Sequence, residues 1–126
     1  MPVYEFTAPY HEIGFEERFL GFANNATKQY LSLQRWDCTK NEILPGAANV
    51  WIERDDQAWG GHGGIESVIL ERECLIVHLA SELAAHMGGY EEYRVRLVLS
   101  DEDFAKVREQ LLRVMVGYGP IVRMPA

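Results

Sequence analysis

A strand followed by a capped helix, in the last third of the chain, constrains the fold most. From Glu92 to Leu99 apolar and polar residues alternate, which predicts a strand with one buried face. Ser100 suits a helix N-cap, and the three acidic residues that follow favour the positive end of a helix dipole. Apolar residues then recur every three or four positions, and Gly117 ends the pattern. The stripe consists of Phe104, Val107, Leu111, Val114 and Met115.

Upstream of this unit, short strands dominate the prediction. A second, shorter helix is predicted from Ser81 to Met87, ended by two glycines. The segment from Asp37 to Asn49 has no period and contains Pro45-Gly46, so it is predicted to be a loop. The predicted strands are Val3–Phe6, Phe19–Ala23, Gln29–Trp36, Val50–Asp55, Ile65–Arg72 and Cys74–Leu79, the last two forming a hairpin that turns near Glu73.

These elements predict the α+β class: a mostly antiparallel sheet with the C-terminal helix and the short second helix packed on one face. The chain of 126 residues has the usual size of one domain, so residues 1–126 are expected to form a single domain. The predicted core places six strand residues under three helix residues. They are Leu75, Val77, Leu79, Val95, Leu97 and Leu99 under Phe104, Val107 and Leu111.

Charge and segment composition limit the partners and the compartment. Nineteen acidic and twelve basic residues give a net charge of −7, which makes nucleic acid and anionic membranes poor partners. A basic protein partner fits this charge, although acidity is also a common feature of soluble proteins. Two cysteines are too few for a secreted disulfide framework, and neither a signal peptide nor a spanning segment is visible. The cytoplasm is therefore the expected compartment.

The residue patterns of the chain predict no active site, no metal and no cofactor. Cys74 and His78 lie on a predicted strand, where four residues span about 13 Å, too far to share a zinc ion. Glycines 60–64 precede a strand and no Gly-Lys-Ser/Thr follows, so they predict a flexible turning connection and no phosphate loop. No Gly-x-Ser-x-Gly elbow is present, and no motif supplies a base to Cys38. Catalysis by a group of residues that forms no recognisable sequence motif stays open as an alternative.

One aromatic and acidic cluster stands out as a candidate partner-binding patch. Trp51, Glu53 and Asp55 are predicted to share one face of a strand, with further polar and aromatic residues in the loop that follows. Aromatic anchors beside carboxylates are typical of recognition surfaces. The alternative is that Trp51 and Trp59 pack in the core or against the glycines. The candidate contact residues are Glu53, Asp55, Asp56, Trp59 and His62.

Several segments together resemble the immunity protein 10 family of bacterial polymorphic toxin systems. They are Phe19–Ala23, Tyr30–Arg35, Glu53–Gln57, Gly61–Glu66, Gly88-Gly89 and the closing strand and helix. The resemblance spans about residues 15–116. In two respects this chain departs from the family pattern: His62 stands where a tyrosine is expected, and the tail from Gly117 to Ala126 extends further.

The resemblance implies a protein that binds a cognate toxin domain and blocks it, without catalytic residues of its own. A basic toxin such as a nuclease would complement an acidic face, since a nuclease surface must attract phosphate. Two other functions stay open at this point: a homo-oligomeric or small-ligand-binding module without catalysis, and a minor enzyme. Composition and pattern leave the oligomeric state open.

Overall fold

The structure of this protein is a computed structural model that describes residues 2–14, 18–35 and 47–124. Within these ranges the chain forms ten strands, two α-helices and a short 3₁₀ helix at Gly119–Ile121. The strands are β1 Val3–Ala8, β2 Tyr10–Gly14, β3 Phe19–Asn24, β4 Gln29–Arg35, β5 Val50–Arg54, β6 Asp56–His62, β7 Ile65–Glu71, β8 Cys74–Leu79, β9 Glu92–Leu97 and β10 Val122–Arg123. The helices are α1 Ser81–His86 and α2 Asp101–Val114.

The described strands form two five-stranded sheets. The first sheet has the order β1-β9-β8-β7-β10, and the second has the order β2-β3-β4-β5-β6. The second sheet is antiparallel throughout, because each of its strands pairs with the next along the chain. In the first sheet the two edge strands are parallel to their neighbours, β1 to β9 and β10 to β7. The α+β class with mostly antiparallel pairing is therefore confirmed, with two sheets in place of the one predicted.

The inner faces of both sheets contribute to one hydrophobic cluster that also includes the buried side of α2. Both helices pack against the second sheet, α1 on β6 and α2 on β3 and β4. The predicted core residues on β8, β9 and α2 are buried, with Leu99 and Phe104 partly buried at its edge. The predicted residues of β8, β9 and α2 thus share one cluster, and the contact of α2 with β3 and β4 is an addition that the sequence did not predict.

A local cap begins α2, and a cation from a distant strand binds its C-terminal end. Ser100 adopts extended backbone and its Oγ accepts a hydrogen bond from the Asp103 N–H at 3.1 Å, which caps the first turn as predicted. At the other end, the buried Arg35 guanidinium donates to the carbonyls of Val114 and Val116, at 3.1 and 2.7 Å. A positive charge at a helix C-terminus is favourable and fixes α2 to β4.

Most predicted elements are confirmed, and the exceptions involve glycine and charged residues. Residues 56–62 were predicted as a loop, which is wrong: they form strand β6, and only Gly63 of the glycines there has a left-handed φ, +81°. Strand β2 was not predicted, because its polar residues give no apolar alternation. Cys38 and most of the predicted loop from Asp37 to Asn49 lie outside the described residues.

Leu97→Ala is predicted to lower the free energy of unfolding by about 2–5 kcal/mol, because it opens a cavity at a buried position of β9. The neighbouring Val98 is 60% exposed, so Val98→Ala should change that free energy by less than about 0.5 kcal/mol. Urea unfolding of both variants measures the difference. Equal decreases in the free energy of unfolding for the two variants would show that the inner face of β9 is assigned wrongly.

Candidate functional site

The outer face of the second sheet is the side opposite the hydrophobic core, and it carries Trp51, Glu53 and His62. The indole N–H of Trp51 donates to Glu53 at 2.9 Å, and the Tyr30 hydroxyl donates to the other carboxylate oxygen. His62 pairs with Trp51 across the strands, and their rings are 5.8 Å apart. Two of the candidate contact residues, Glu53 and His62, thus flank one tryptophan. Glu53 is only 9% exposed, whereas His62 is exposed.

The Trp51 indole depends on a glycine across the strand pair. A Cβ at Gly60 would lie 2.6 Å from Trp51 Cζ2, so the ring can lie over the sheet only where a side chain is missing. Glycine in a strand interior weakens the strand, and an aromatic ring laid across it restores contact. The glycine-rich stretch therefore positions an aromatic ring.

On the inner side of β5, Arg54 occupies the centre of an aromatic cluster. Its guanidinium lies over the rings of Tyr4, Trp59 and Tyr90, at 4.9, 4.7 and 5.2 Å from their centroids. It also donates to the Met87 carbonyl at 2.7 Å. A buried cation requires such partners, because isolated burial of a charge is costly. The cluster ties β1, β5 and β6 to the end of α1.

Asp55 supplies the negative charge of this cluster. Its carboxylate accepts from Arg54 at 3.2 Å, from the Tyr30 backbone N–H at 2.9 Å and from the Tyr4 hydroxyl. Its φ of +62° lies in the left-handed region, which aspartate tolerates better than most residues. The predicted contact residue Asp55 therefore has internal partners that stabilise the fold.

Trp59 is both a packing and a surface residue. One ring face covers Arg54, and the side chain remains 39% exposed. A Cβ at Gly88 would lie 2.4 Å from the Arg54 guanidinium, and the φ of this residue is +90°, so both the space beneath Arg54 and the backbone favour glycine. Because Arg54 points away from the outer face, Trp59 lies on the opposite side of the sheet from His62 and Glu53.

The five candidate residues consequently form a band around the β6 edge of the second sheet. Glu53 and His62 lie on the outer face, and Trp59 lies on the inner side with Arg54. Asp56 is exposed at the start of β6, where its Oδ1 accepts the Ala58 N–H at 2.9 Å. We call this band the β6-edge patch: Glu53, Asp55, Asp56, Trp59 and His62.

The surroundings raise the pKa of two tyrosines in this region, Tyr4 and Tyr30, and so favour their neutral forms. Burial and then the hydrogen bond to Asp55 raise the pKa of Tyr4 from 10.0 to about 12. Burial also raises the pKa of Tyr30, followed by its hydrogen bond to Glu53 and the charges of Glu53, Asp56 and Asp55. For Arg54, burial lowers the pKa but the hydrogen bonds to Tyr93 and Asp55 raise it overall.

A row of polar residues crosses the outer face of the first sheet. Ser67 Oγ lies 2.9 Å from His78 Nδ1, and His78 Nε2 lies 2.7 Å from Glu92. These residue types make up hydrolytic triads. Here the three residues lie side by side on neighbouring strands of one sheet, β7, β8 and β9. Glu92 is also paired with Arg94, and we interpret the row as structural.

Two further features were sought among the described residues: a cluster of metal-ligating side chains and a helix long enough to cross a membrane. There, no three His, Cys, Asp or Glu side chains group closely enough to hold a metal ion. Cys74 and His78 do lie on one strand, as predicted. Neither of the described helices has the length and apolar character needed to span a bilayer.

Sequence reasoning missed the Arg54 cluster and the Ser67–His78–Glu92 row. The row had a usable signal, because a hairpin turning at residues 72 and 73 pairs Ser67 with His78. The Arg54 cluster had little signal: Trp59 follows on the next strand, but the other two rings, Tyr4 and Tyr90, come from distant segments that only the fold brings to Arg54.

A comparison with protein-family models matches residues 10–105 to the family described as Immunity protein 10. The searches of curated proteins and of solved structures return no match. The matched segment contains every strand of the second sheet, and therefore the whole β6-edge patch.

Asp55→Asn is predicted to lower the free energy of unfolding by about 3 kcal/mol, because it leaves the buried Arg54 charge without its carboxylate. The matched change Asp56→Asn keeps the acceptor oxygen for Ala58 at an exposed site and should cost less than about 0.5 kcal/mol. Chemical unfolding of both variants at neutral pH provides the measurement. Similar values for the two would contradict the role assigned to Asp55.

Alkaline pH should weaken the fold through Tyr4. The pKa of Tyr4 is higher in the folded state than in the unfolded chain. Its contribution to the free energy of unfolding is therefore complete below the ordinary pKa of 10.0 and is lost as the pH rises to about 12. Tyr4→Phe cannot ionise, so its free energy of unfolding should fall less over that interval than that of the unmodified protein. Parallel slopes for the two proteins would exclude this assignment.

Proposed function

We propose that this chain, which belongs to the immunity protein 10 family, binds a cognate bacterial toxin domain and blocks its activity. The family match covers 96 of the 126 residues, from 10 to 105 inclusive, and confirms the family predicted from the sequence. It is the single observation that carries the proposal, since the family is one of toxin-neutralising immunity proteins. Neutralisation by binding requires a complementary surface and no reactive group.

The β6-edge patch is the surface we propose for this contact. Asp56, Trp59 and His62 are exposed there, and a half-exposed tryptophan is a frequent binding hot spot. Trp59 is also held in place by Arg54, so it loses little conformational freedom when a partner covers it. Asp55 and Glu53 support the patch from beneath through the hydrogen bonds described above.

The chemistry of the toxin follows from charge. The chain has a net charge of −7, and Asp56 adds an exposed carboxylate to the patch at the start of β6. A toxin with a basic surface, such as a nuclease, would associate rapidly with this protein through long-range attraction. We propose the cytoplasm as the compartment, because a nuclease toxin acts there and its inhibitor must meet it.

Trp59→Ala is predicted to weaken toxin binding by about 2 kcal/mol or more, mainly through faster dissociation. Trp59→Phe should lose less, because a ring remains over Arg54, and Leu112→Ala on exposed α2 should have no effect. Surface plasmon resonance against the toxin domain encoded beside this gene measures the rates. Thermal unfolding of each variant separates lost contact from lost fold.

Asp56→Lys is predicted to slow association and to reduce its dependence on salt, with little change in dissociation. Glu73→Lys, at the exposed turn between β7 and β8, makes the same change in net charge at a distance and should slow association less. Equal effects of the two would mean that only net charge matters. If the unmodified protein neither binds this toxin domain nor protects cells that express it, the proposed function is wrong.

A further inference from the structure

The outer face of the second sheet is built from three rows of residues that run across its strands. The register places Glu12, Gly21, Ser32, Glu53 and Gly60 side by side in the middle row. Neighbouring strands are about 4.8 Å apart, so the two carboxylates stand about 14 Å apart with two small residues between them. In the middle row, two small residues, Gly21 and Ser32, therefore form a shallow floor between Glu12 and Glu53.

Aromatic residues border this floor on both sides. One flanking row contains Tyr10, Ala23 and Tyr30, and the other contains Phe19, Gln34, Trp51 and His62. Between the rows, over β2 to β4, lies a groove of about 400 Å³. Glu12, Tyr10, Phe19 and Tyr30 line it, with Gly21 and Ser32 beneath.

Gly21 allows this groove to exist. A Cβ at this position would lie 2.8 Å from a ring carbon of Phe19, so the ring reaches across the strand only because glycine leaves the space. Gly60 on β6 and the Trp51 ring from β5 make a similar contact, here between neighbouring strands. Two aromatic rings thus lie low over glycines, and the floor between them stays open.

The charge on this face is one-sided. None of the described residues in the three rows, and none of those lining the groove, is a lysine or an arginine. The outer face of the first sheet is different, because Arg94 pairs with Glu92 and Arg96 pairs with Glu5. Glu12 is exposed, Tyr10 is 58% exposed, and His11 is the one titratable base among the described lining residues.

We propose that this groove receives an arginine or lysine side chain from the toxin, so that the contact extends from the β6-edge patch across the outer face. The inference rests on the proposed function and adds the surface and the chemistry of the anchor. Aromatic walls contact the methylene stem and the face of a guanidinium, and the Glu12 carboxylate pairs with its charge. An apolar anchor would fit the walls but would leave the carboxylate desolvated without a partner.

Two substitutions test the groove without touching the core or the β6-edge patch. Glu12→Gln removes the charge and keeps the size, and we expect it to weaken toxin binding about tenfold, as the loss of one charge-assisted contact predicts. Ala23→Leu places a larger side chain between Tyr10 and Tyr30 and should weaken binding as much or more, by closing the groove. Glu73→Gln, the matched control at the β7–β8 turn, should change binding less than about twofold.

Circular dichroism confirms that each variant is folded before binding is measured. If the toxin binds the unmodified protein, Glu12→Gln and Ala23→Leu with equal affinity, the groove is not part of the contact and this inference is overturned. The proposed function would survive that result, because the β6-edge patch would still account for binding.

A probe that does not depend on the toxin tests the chemistry of the groove directly. N-acetyl-arginine methylamide, titrated to about millimolar concentration against the ¹⁵N-labelled protein, should give saturable shifts of the Gly21 and Ala23 amide signals. Glu12→Gln should reduce these shifts, and N-acetyl-leucine methylamide should not produce them. Absence of saturable shifts, or equal shifts with the leucine compound, overturns the inference even if a toxin binds elsewhere on the protein. Saturable shifts with arginine, combined with no toxin binding, would support the cation-binding chemistry of the groove but overturn both the proposed function and the toxin as the source of the side chain.

Discussion

One buried positive charge holds the two sheets together. Arg54 extends from the second sheet into a space where Tyr4 and Tyr93 arrive from the first sheet and Met87 from the end of α1. A guanidinium there is tolerated only because rings cover its faces, the Met87 carbonyl and the Tyr93 hydroxyl accept hydrogen bonds from it, and Asp55 balances its charge. Such a cluster specifies one relative arrangement of the sheets, because a slip of either would separate the guanidinium from Tyr4 and Tyr93 of the first sheet. Apolar packing alone is less selective.

The same cluster joins stability to recognition. Trp59 covers Arg54 with one ring face and meets solvent with its edge, so a residue that completes the interior also forms part of the proposed contact. Asp55 faces inward and Asp56 outward, and adjacent carboxylates therefore serve different purposes. The outer face of the second sheet continues this pattern, with Glu53 engaged by Trp51 and Tyr30 while Glu12 stays exposed.

Sequence patterns predicted the parts of this protein that follow local rules. The hairpin of β7 and β8, the Ser100 cap and the stripe of α2 depend on residues close in sequence, and all are confirmed. Strand β6 was missed because glycines weaken strand propensity, and the contacts that compensate for them, Trp51 over Gly60 and Leu83 against Gly61, come from other elements. The division into two sheets and the Arg54 cluster could not be predicted, since they depend on which distant segments meet. For the β6-edge patch, the sequence identified the residues. It could not show that some of them lie on the outer face of the second sheet and others on the inner side, because that depends on how β5 and β6 pair.

The parallel pairing of β1 with β9 has a consequence for the timing of synthesis. Residues 3–8 pair with residues 92–97, and Tyr4 reaches the Arg54 cluster from the same strand. At roughly 5–20 residues per second, β1 waits on the order of ten seconds before its partner strand leaves the ribosome. Folding that depends on such distant pairings is also slow once the chain is complete. A nascent chain that ends before residue 92 therefore lacks both the partner strand of β1 and Tyr93 of the Arg54 cluster, so the first and last parts of the fold are completed together.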